Sequence, residues 1–257
     1  MTNQKEVVQK GMKALFQDFD KDAIRTYFHD HYIQHNPNVP TGLEPIIGML
    51  PSTKEVNFSF TTHRIFSDGD LVLTHNTGTN AMVFGSEKIV TFDLWRVEEG
   101  KIAEHWDAII PYFSETVNGR TQVGGPTEVM DLEKTDENKA LIRKFMWDIL
   151  MGENPNKITE YINSEHYHQH NPQIKDQLSG LLETIQELTE QDNMFQYDKV
   201  HRVIGEGNFV LAQSEGAWSG KPQVFYDLFR VESGKLVEHW DVIQEIPENM
   251  AHDNTMF

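Results

Sequence analysis

The start of the chain has the apolar spacing of an amphipathic helix. Apolar residues recur three and four positions apart, at Val8, Met12, Leu15 and Phe19. Asp20 is predicted to end this helix and to cap a shorter one that runs to Phe28. Residues 41–50 predict another short helix, which Pro51 would close because proline lacks the amide proton that a helix interior needs.

Segments typical of β-strands follow these helices, and turn sequences such as SDGD and EEGK separate them. The predicted strands are residues 57–67, 71–81, 87–97 and 101–110. The second half of the chain has the same plan. Its helices are predicted at residues 138–150, 158–163 and 178–188, and its strands within residues 195–244. Helices followed by a sequential antiparallel meander predict the α+β class.

Three sequence blocks occur twice, in the same order. YIQHNP from Tyr32 returns as YHQHNP, HRIFSDGDLVL from His63 returns as HRVIGEGNFVL, and FDLWRVEEGKIAEHWDAI from Phe92 returns as YDLFRVESGKLVEHWDVI. Ordered repeats of this length indicate a tandem duplication. The polar, glycine-rich stretch between the copies is typical of a linker, so we predict domains at residues 1–125 and 126–257.

The repeated pattern resembles a known family. Two helices, the Y-x-Q-H-N-P segment, a third helix and a sheet ending in D-L-W-R-V-x-x-G-K-I-x-E-H-W-D are similar to the SnoaL-like polyketide cyclases of the NTF2-like superfamily. The resemblance implies a cone-shaped barrel in each half, with helices over a curved sheet and a small-molecule pocket between them. It also implies pairing through the sheets, hence a pseudo-dimer within one chain, and leaves open a further homo-oligomer.

Ionisable residues concentrate in the last hairpin of each copy. Strand alternation places His105 and Asp107 on one face and Trp106 on the other. The register is left open, since a slip of one residue moves Asp93 from the face of Asp107 to that of Trp106. The second copy repeats the set with Asp227, His239 and Asp241.

The resemblance implies cofactor-free acid/base chemistry on a small hydrophobic carbonyl compound, of the aldol cyclase, lyase or isomerase type. By motif position, Asp107 and Asp241 would be the general acid/base groups. The supporting candidates are Asp93, Asp227, His105 and His239. Burial among apolar side chains would raise the carboxyl pKa toward neutrality. The alternative is a small-molecule binding protein without catalysis, with the aspartates tied up by backbone amides or by Arg96 and Arg230.

Further polar and aromatic residues are candidates for ligand contact. They are Gln34, His35, Asn36, His63, His75 and Trp106 in the first copy, and Gln169, His170, Asn171, His201 and Trp240 in the second. The Q-H-N-P amides and imidazoles either stabilise an enolate oxygen or form a turn, because a proline follows each. His75 has Gln213 as its counterpart, so the two copies are not equivalent there.

The composition argues against several classes of binding partner. The formal charge of −18 makes nucleic acid and anionic membranes unsuitable, and no apolar run has the length of a membrane helix. The sequence has no cysteine and no H-E-x-x-H motif, so neither a cofactor nor a metal ion is expected despite the 12 histidines. A bound metal would involve His105 or His239 with an aspartate. We expect a cytoplasmic protein.

Overall fold

The computed structural model describes residues 3–257 and divides the chain into two compact units. The first comprises Met1–Tyr112 together with Ile246–Phe257, and the second comprises Phe113–Glu245. This division differs from the predicted boundary after residue 125. The segment that follows the last strand of the first copy packs with the second unit, and the C-terminal segment packs with the first.

The first unit has helices followed by strands, as predicted. Its elements are α1 (Gln4–Lys13) continued by a π-helical turn (Ala14–Asp18), α2 (Lys21–Tyr27), β1 (Phe28–Gln34), α3 (Leu43–Glu55), β2 (Ser59–Asp68), β3 (Leu71–Thr79), β4 (Lys88–Glu98) and β5 (Lys101–Pro111). The sheet order is β1-β5-β4-β3-β2. Strands β2 to β5 form the predicted antiparallel meander, and β1 joins its edge parallel to β5.

The apolar spacing and the Asp20 cap at the start of the chain lead to the predicted helices, but the predicted end of the third helix at Pro51 is not observed. Asp20 caps α2, since its carboxylate accepts from the amides of Asp22 (2.9 Å) and Ala23 (3.1 Å). Pro51 does not close α3, which continues to Glu55. The buried face of α3 extends past the proline to Thr53, and packing of that face outweighs the lost backbone hydrogen bond.

The second unit repeats this architecture. Its elements are α4 (Thr135–Phe145) continued by a π-helical turn (Met146–Leu150), α5 (Ile158–Tyr161), β6 (His168–Gln169), α6 (Gln177–Glu190), β7 (Gln196–Glu206), β8 (Phe209–Trp218), β9 (Lys221–Glu232) and β10 (Lys235–Glu245). The sheet order β6-β10-β9-β8-β7 matches that of the first unit. The α+β prediction is confirmed for both units; the pseudo-dimer stays a prediction.

One strand per unit was not predicted. The segment before each Q-H-N-P motif pairs with the last strand of its own sheet, so that Gln34 lies beside His105 and Gln169 beside His239. This pairing places the Q-H-N-P motif next to the hairpin that carries the ionisable residues, β4–β5 in the first unit and β9–β10 in the second. Among residues 3–257, no helix has the length and apolarity needed to cross a membrane.

Candidate acid/base site in each unit

The strand register places the two aspartates of each hairpin opposite each other. Asp93 of β4 pairs with Asp107 of β5, and Asp227 of β9 pairs with Asp241 of β10. Both side chains therefore lie on the same face of the sheet, which resolves the register that the sequence left open. The histidine two residues before the second aspartate shares this face.

A histidine bridges one aspartate and the glutamine of the Q-H-N-P motif. In the second unit, Nε2 of His239 lies 3.0 Å from Oδ1 of Asp227, and Nδ1 lies 3.0 Å from Oε1 of Gln169. Oε1 of Gln169 also accepts from the amide of Asn171 at 2.9 Å, which identifies it as the amide oxygen. In the first unit, His105 makes the same contacts with Asp93 and Gln34, each at 3.0 Å.

Both ring nitrogens of His239 therefore face oxygen acceptors. Burial alone would lower the pKa of His239, but the hydrogen bond to Asp227 and the charges of Asp241 and Asp227 outweigh burial and raise it. The two oxygen acceptors and the raised pKa both favour the protonated form of His239, in which both ring nitrogens donate.

The other aspartate is held by the motif asparagine. Nδ2 of Asn36 donates to both carboxylate oxygens of Asp107, at 3.0 and 2.8 Å, and Nδ2 of Asn171 donates to Oδ2 of Asp241 at 2.8 Å. Oδ1 of Asn36 accepts from the amide of Asn38, which fixes the orientation of the amide group. Among residues 3–257, each of these two aspartates has a neutral donor and no arginine partner; Arg96 binds Glu104 and Arg230 binds Glu238.

Burial raises the pKa of both of these aspartates. Desolvation is the largest cause and raises the pKa of Asp107 to about 6 and that of Asp241 to about 6. The positive charge of the adjacent histidine opposes this shift, and the negative charge of the first aspartate of the hairpin, Asp93 or Asp227, adds to it. A carboxyl group with such a pKa can both take up and release a proton near neutral pH.

Each site opens onto an apolar cavity. Asp93, His105 and Asp107 line a cavity of about 70 Å³ in the first unit. Asp227, His239 and Asp241 line one of about 350 Å³ in the second. Small-molecule pockets in proteins have volumes of roughly 300–1,000 Å³, so the second cavity alone reaches this range.

Sequence comparison agrees with this architecture. Residues 8–105 match the family model of the SnoaL-like domain. They form a SnoaL-like domain. The second unit has the same strand order and the same three site residues. That it is a second copy of this domain stays a prediction. The recognition of this family from the sequence is confirmed. No curated protein matches the chain.

Solved structures similar to the chain each span about one half of it. TsrD from Streptomyces laurentii is 21% identical, with 41% of this chain and 89% of that chain covered and a TM-score of 0.35. IdmH, a putative polyketide cyclase from Streptomyces antibioticus, is 21% identical, with 42% and 91% covered and a TM-score of 0.35. An M. tuberculosis LEH-like epoxide hydrolase is 19% identical, with 42% and 82% covered and a TM-score of 0.35.

Several predicted ligand contacts lie outside the cavities. In the SnoaL-like domain, the ring of His35 stacks on Trp106 with centroids 4.8 Å apart, and Nε2 of His35 lies 2.9 Å from Glu104. His170 and Trp240 repeat the stacking at 4.8 Å. Since Trp106 and Trp240 alternate with the site residues along their strands, they face away from the cavity. We therefore do not retain these four residues as ligand contacts.

The Q-H-N-P segments are covered by segments from beyond the last strands. In the SnoaL-like domain, Nδ1 of His35 donates to the carbonyl of Thr255, and His252 contacts the carbonyl of Asn36 at 2.9 Å. In the second unit, Nδ1 of His170 donates to the carbonyl of Thr121 at 2.6 Å. His35 and His170 thus secure the motif and leave its Gln and Asn to contact the site.

The remaining predicted contacts are also outside the cavities. His63 contacts the hydroxyl of Thr77 at 3.0 Å, His75 lies 3.1 Å from Arg64, and His201 pairs with Glu215 at 3.1 Å. These residues lie on β2, β3 and β7 and are not among the cavity-lining residues. Asn171 reaches the site through Asp241 without lining the cavity itself. The predicted residues that do line a cavity are Gln34, Asn36, Asp93, His105, Asp107, Gln169, Asp227, His239 and Asp241.

The same residues are the best candidates for a metal site. The ligand atoms of Asp93, His105 and Asp107 lie within 4.8 Å of one another, as do those of Asp227, His239 and Asp241. Nδ1 of His239 faces the amide oxygen of Gln169, so Nε2 is the atom that could ligate an ion together with Asp227. The expectation that no metal ion is bound stays a prediction.

Three polar residues that contact the site were not predicted from the sequence. Asn76 and Thr91 donate to Oδ2 of Asp93, Asn76 at 2.8 Å, and the hydroxyl of Tyr197 lies 3.3 Å from Oδ1 of Asp227. Thr91 is two residues before Asp93, so strand alternation alone places it on the same face. Asn76 pairs with Thr91 across the sheet, a position that only the register reveals.

Proposed function

We propose that the protein is a cofactor-free acid/base catalyst of a small hydrophobic carbonyl compound, with Asp241, and Asp107 at the matching place, as the proton-transfer group. One observation carries this proposal: a buried carboxyl at the wall of an apolar cavity has its pKa raised to about 6 and lies beside a histidine whose own pKa the neighbouring aspartates raise. Perturbed carboxyls in cavities are the usual mark of proton-transfer sites.

The proposed step is proton abstraction next to a carbonyl group. The carboxylate of Asp241 takes the proton, the C–H bond breaks, and its electron pair forms an enolate. The enolate carbon then attacks a second carbonyl within the same molecule or is reprotonated at another position. The proton that Asp241 holds returns to the product, so the cycle needs no external oxidant, reductant or cofactor.

The neighbouring residues fit supporting roles. His239 supplies a positive charge that favours the developing negative charge of an enolate, and Asp227 with Gln169 keeps the imidazole oriented and protonated. Asn171 holds the carboxylate of Asp241 by one neutral hydrogen bond, which orients the base without replacing its charge by a salt bridge.

A second candidate function is binding without turnover. The second cavity favours it, because most of its lining is apolar and its volume of about 350 Å³ suits a small molecule whether or not a proton moves. The two functions differ in what they require of the aspartate. Catalysis needs a carboxylate that reaches a C–H bond, whereas binding needs only the apolar wall.

Deuterium exchange separates the two. NMR would follow exchange at carbons flanking carbonyls, across a panel of cyclic and linear β-dicarbonyl compounds, for the wild type and for the Asp107→Asn, Asp241→Asn double variant. We expect exchange above the buffer rate in the wild type and loss of this excess in the variant. Protein resonances that shift with the panel while no compound exchanges would contradict catalysis and support the binding protein.

A further inference from the structure

We propose that the two units differ in occupancy: the second cavity takes the apolar carbonyl ligand, and the first is closed to it by a phenylalanine cluster that includes Phe84. This inference deepens the proposed function, since it assigns the ligand to one of two sites with the same acid/base residues. It makes Phe84 and the strand connection that carries it a determinant of specificity.

The two cavities differ fivefold in volume although their polar ends match. The cavity of the first unit has about 70 Å³ and that of the second about 350 Å³. Aspartate, histidine and glutamine occupy corresponding places in both. The difference therefore arises at the apolar end, away from the acid/base residues.

Four phenylalanines fill the apolar end of the first cavity. Phe16 stacks on Phe60 with centroids 4.8 Å apart, and Phe58 packs against Phe16 at 5.5 Å and against Phe84 at 5.4 Å. All four line the cavity. Contacts at these distances leave no room between the rings for a ligand.

The connection between β3 and β4 supplies one of these rings. It spans residues 80–87 and contains a short 3₁₀ turn, Met82–Phe84, whose last residue packs against Phe58. In the second unit, the corresponding strands β8 and β9 are joined by a tight turn at Ser219 and Gly220. The residue before this turn, Trp218, packs on Phe195 with centroids 5.0 Å apart, but unlike Phe84 it does not line the cavity.

The second cavity also has a wider apolar rim. The chain passes from α6 to β7 through residues 191–195, whereas in the first unit α3 is followed closely by Phe58. Leu182 and Met194 line the second cavity and are 40% and 42% exposed, so they provide an apolar entrance. An apolar entrance to an apolar cavity favours a neutral ligand with little polar surface.

Counting binding sites tests the proposal without turnover. The probe is prodan, a neutral naphthyl ketone whose emission shifts to the blue in apolar surroundings, titrated into the full chain with stoichiometry from fluorescence and calorimetry. We expect one site per chain in the wild type. Ile185→Trp places an indole in the second cavity and should abolish binding, whereas Gln186→Trp, on the exposed side of the same helix, should keep it.

A further variant tests the role of Phe84. In the Ile185→Trp background, Phe84→Ala should restore one site per chain, because it removes a ring from the first cavity. Circular dichroism and a melting curve establish that each variant is folded, and Leu188→Trp replaces Ile185→Trp if the latter is not. Two sites in the wild type, no site in the wild type, or a site that survives both tryptophan variants would each overturn the proposal. Continued absence of binding after Phe84→Ala would overturn the role of Phe84.

The failure of this proposal is distinguishable from failure of the proposed function. Asp241→Asn should leave prodan binding intact, because the naphthyl ring is held by the apolar wall. One site per chain with no deuterium exchange would keep the occupancy and reject the catalysis. Deuterium exchange together with two equal binding sites per chain would support the catalysis and reject the occupancy of one cavity.

Discussion

The two units share the residues of the candidate acid/base site but differ in what surrounds its first aspartate. In the SnoaL-like domain, Oδ2 of Asp93 accepts from Asn76 and Thr91. In the second unit, the corresponding Oδ2 of Asp227 has no hydrogen-bond partner among residues 3–257, and neither does the hydroxyl of Ser214, at the place of Asn76. The first aspartate thus has more hydrogen-bond donors in the first unit, where the cavity is also the smaller of the two.

This difference shows which parts of the fold set the chemistry and which set the access to it. The hairpin of the last two strands and the Q-H-N-P motif are alike in both units and fix the aspartates, the histidine and the glutamine. The strands farther along the sheet and their connections vary, and they determine cavity volume and the hydrogen bonds of the first aspartate. Function can therefore diverge between units without a change in the acid/base residues.

Single substitutions of the two proton-transfer aspartates give the largest expected contrast. Asp241→Asn should lower the enzyme-dependent exchange rate by roughly 10²–10⁴-fold, the usual contribution of a general base. Asp107→Asn should change it little, because its cavity of about 70 Å³ does not admit the ligand. The measurement is the deuterium exchange rate at saturating ligand for each variant.

Asp253→Asn, at an exposed aspartate, serves as control for the loss of one negative charge. Equal losses for Asp107→Asn and Asp241→Asn would mean that both units work, and would contradict the assignment of the ligand to the second cavity. A loss only for Asp107→Asn would reverse that assignment.

The free energy of unfolding should depend on pH in the same way through Asp107 and through Asp241. This would contrast with the exchange activity, which should depend mainly on Asp241. Burial raises the folded-state pKa of Asp241 from its ordinary value of 3.8 to about 6. Such a group stabilises the protein fully below the unfolded value and loses this contribution as pH rises through about 6. At pH 7 its ionisation therefore costs on the order of 3 kcal/mol relative to acid conditions.

Urea unfolding between pH 4 and pH 7 tests this. The stability of Asp241→Asn relative to the wild type should rise over that interval by up to about 3 kcal/mol, since the amide removes the cost of the charge. Asp107→Asn should behave in the same way, because burial raises its pKa to about 6 as well. Variants whose stability relative to the wild type does not change with pH would contradict the raised pKa values.

Residues whose place in the site follows from their spacing along a strand could be predicted from the sequence. Features that depend on strand register or on the connections between strands could not. The alternation of His105 and Asp107 and the repeat of the motif predicted the site residues of both hairpins. Whether Asp93 lies opposite Asp107 could not be predicted, since both registers satisfy the apolar pattern. The strand before the Q-H-N-P motif was also missed, because proline in the motif favours a turn.

The volumes of the two cavities could not be predicted from the sequence for a related reason. It depends on the direction of Phe84 in a connection without periodicity and on the tight turn at Ser219 and Gly220. Histidines were the least reliable guides. His35 and His63 have the residue type of an active site, yet their rings contact Trp106 and Thr77 outside the cavity. Buried histidines with satisfied nitrogens are common in protein cores.

The smallest expected effect comes from exchanging the residues at the places of Asn76 and Ser214. Asn76→Ser removes a donor from Oδ2 of Asp93 and should lower the free energy of unfolding by about 1–3 kcal/mol. Ser214→Asn supplies the missing donor to Asp227 and should raise it by about 1 kcal/mol. Urea unfolding at pH 7 measures both changes.

The two substitutions act as controls for each other, because they are the same exchange made in opposite directions. Opposite signs would trace the difference between the units to this one position beside the first aspartate. If Ser214→Asn destabilised the protein as much as Asn76→Ser does, the second unit would have no space for the amide. The open oxygen of Asp227 would then reflect the packing of Phe225 and Tyr197 around it, which contact each other at 4.3 Å.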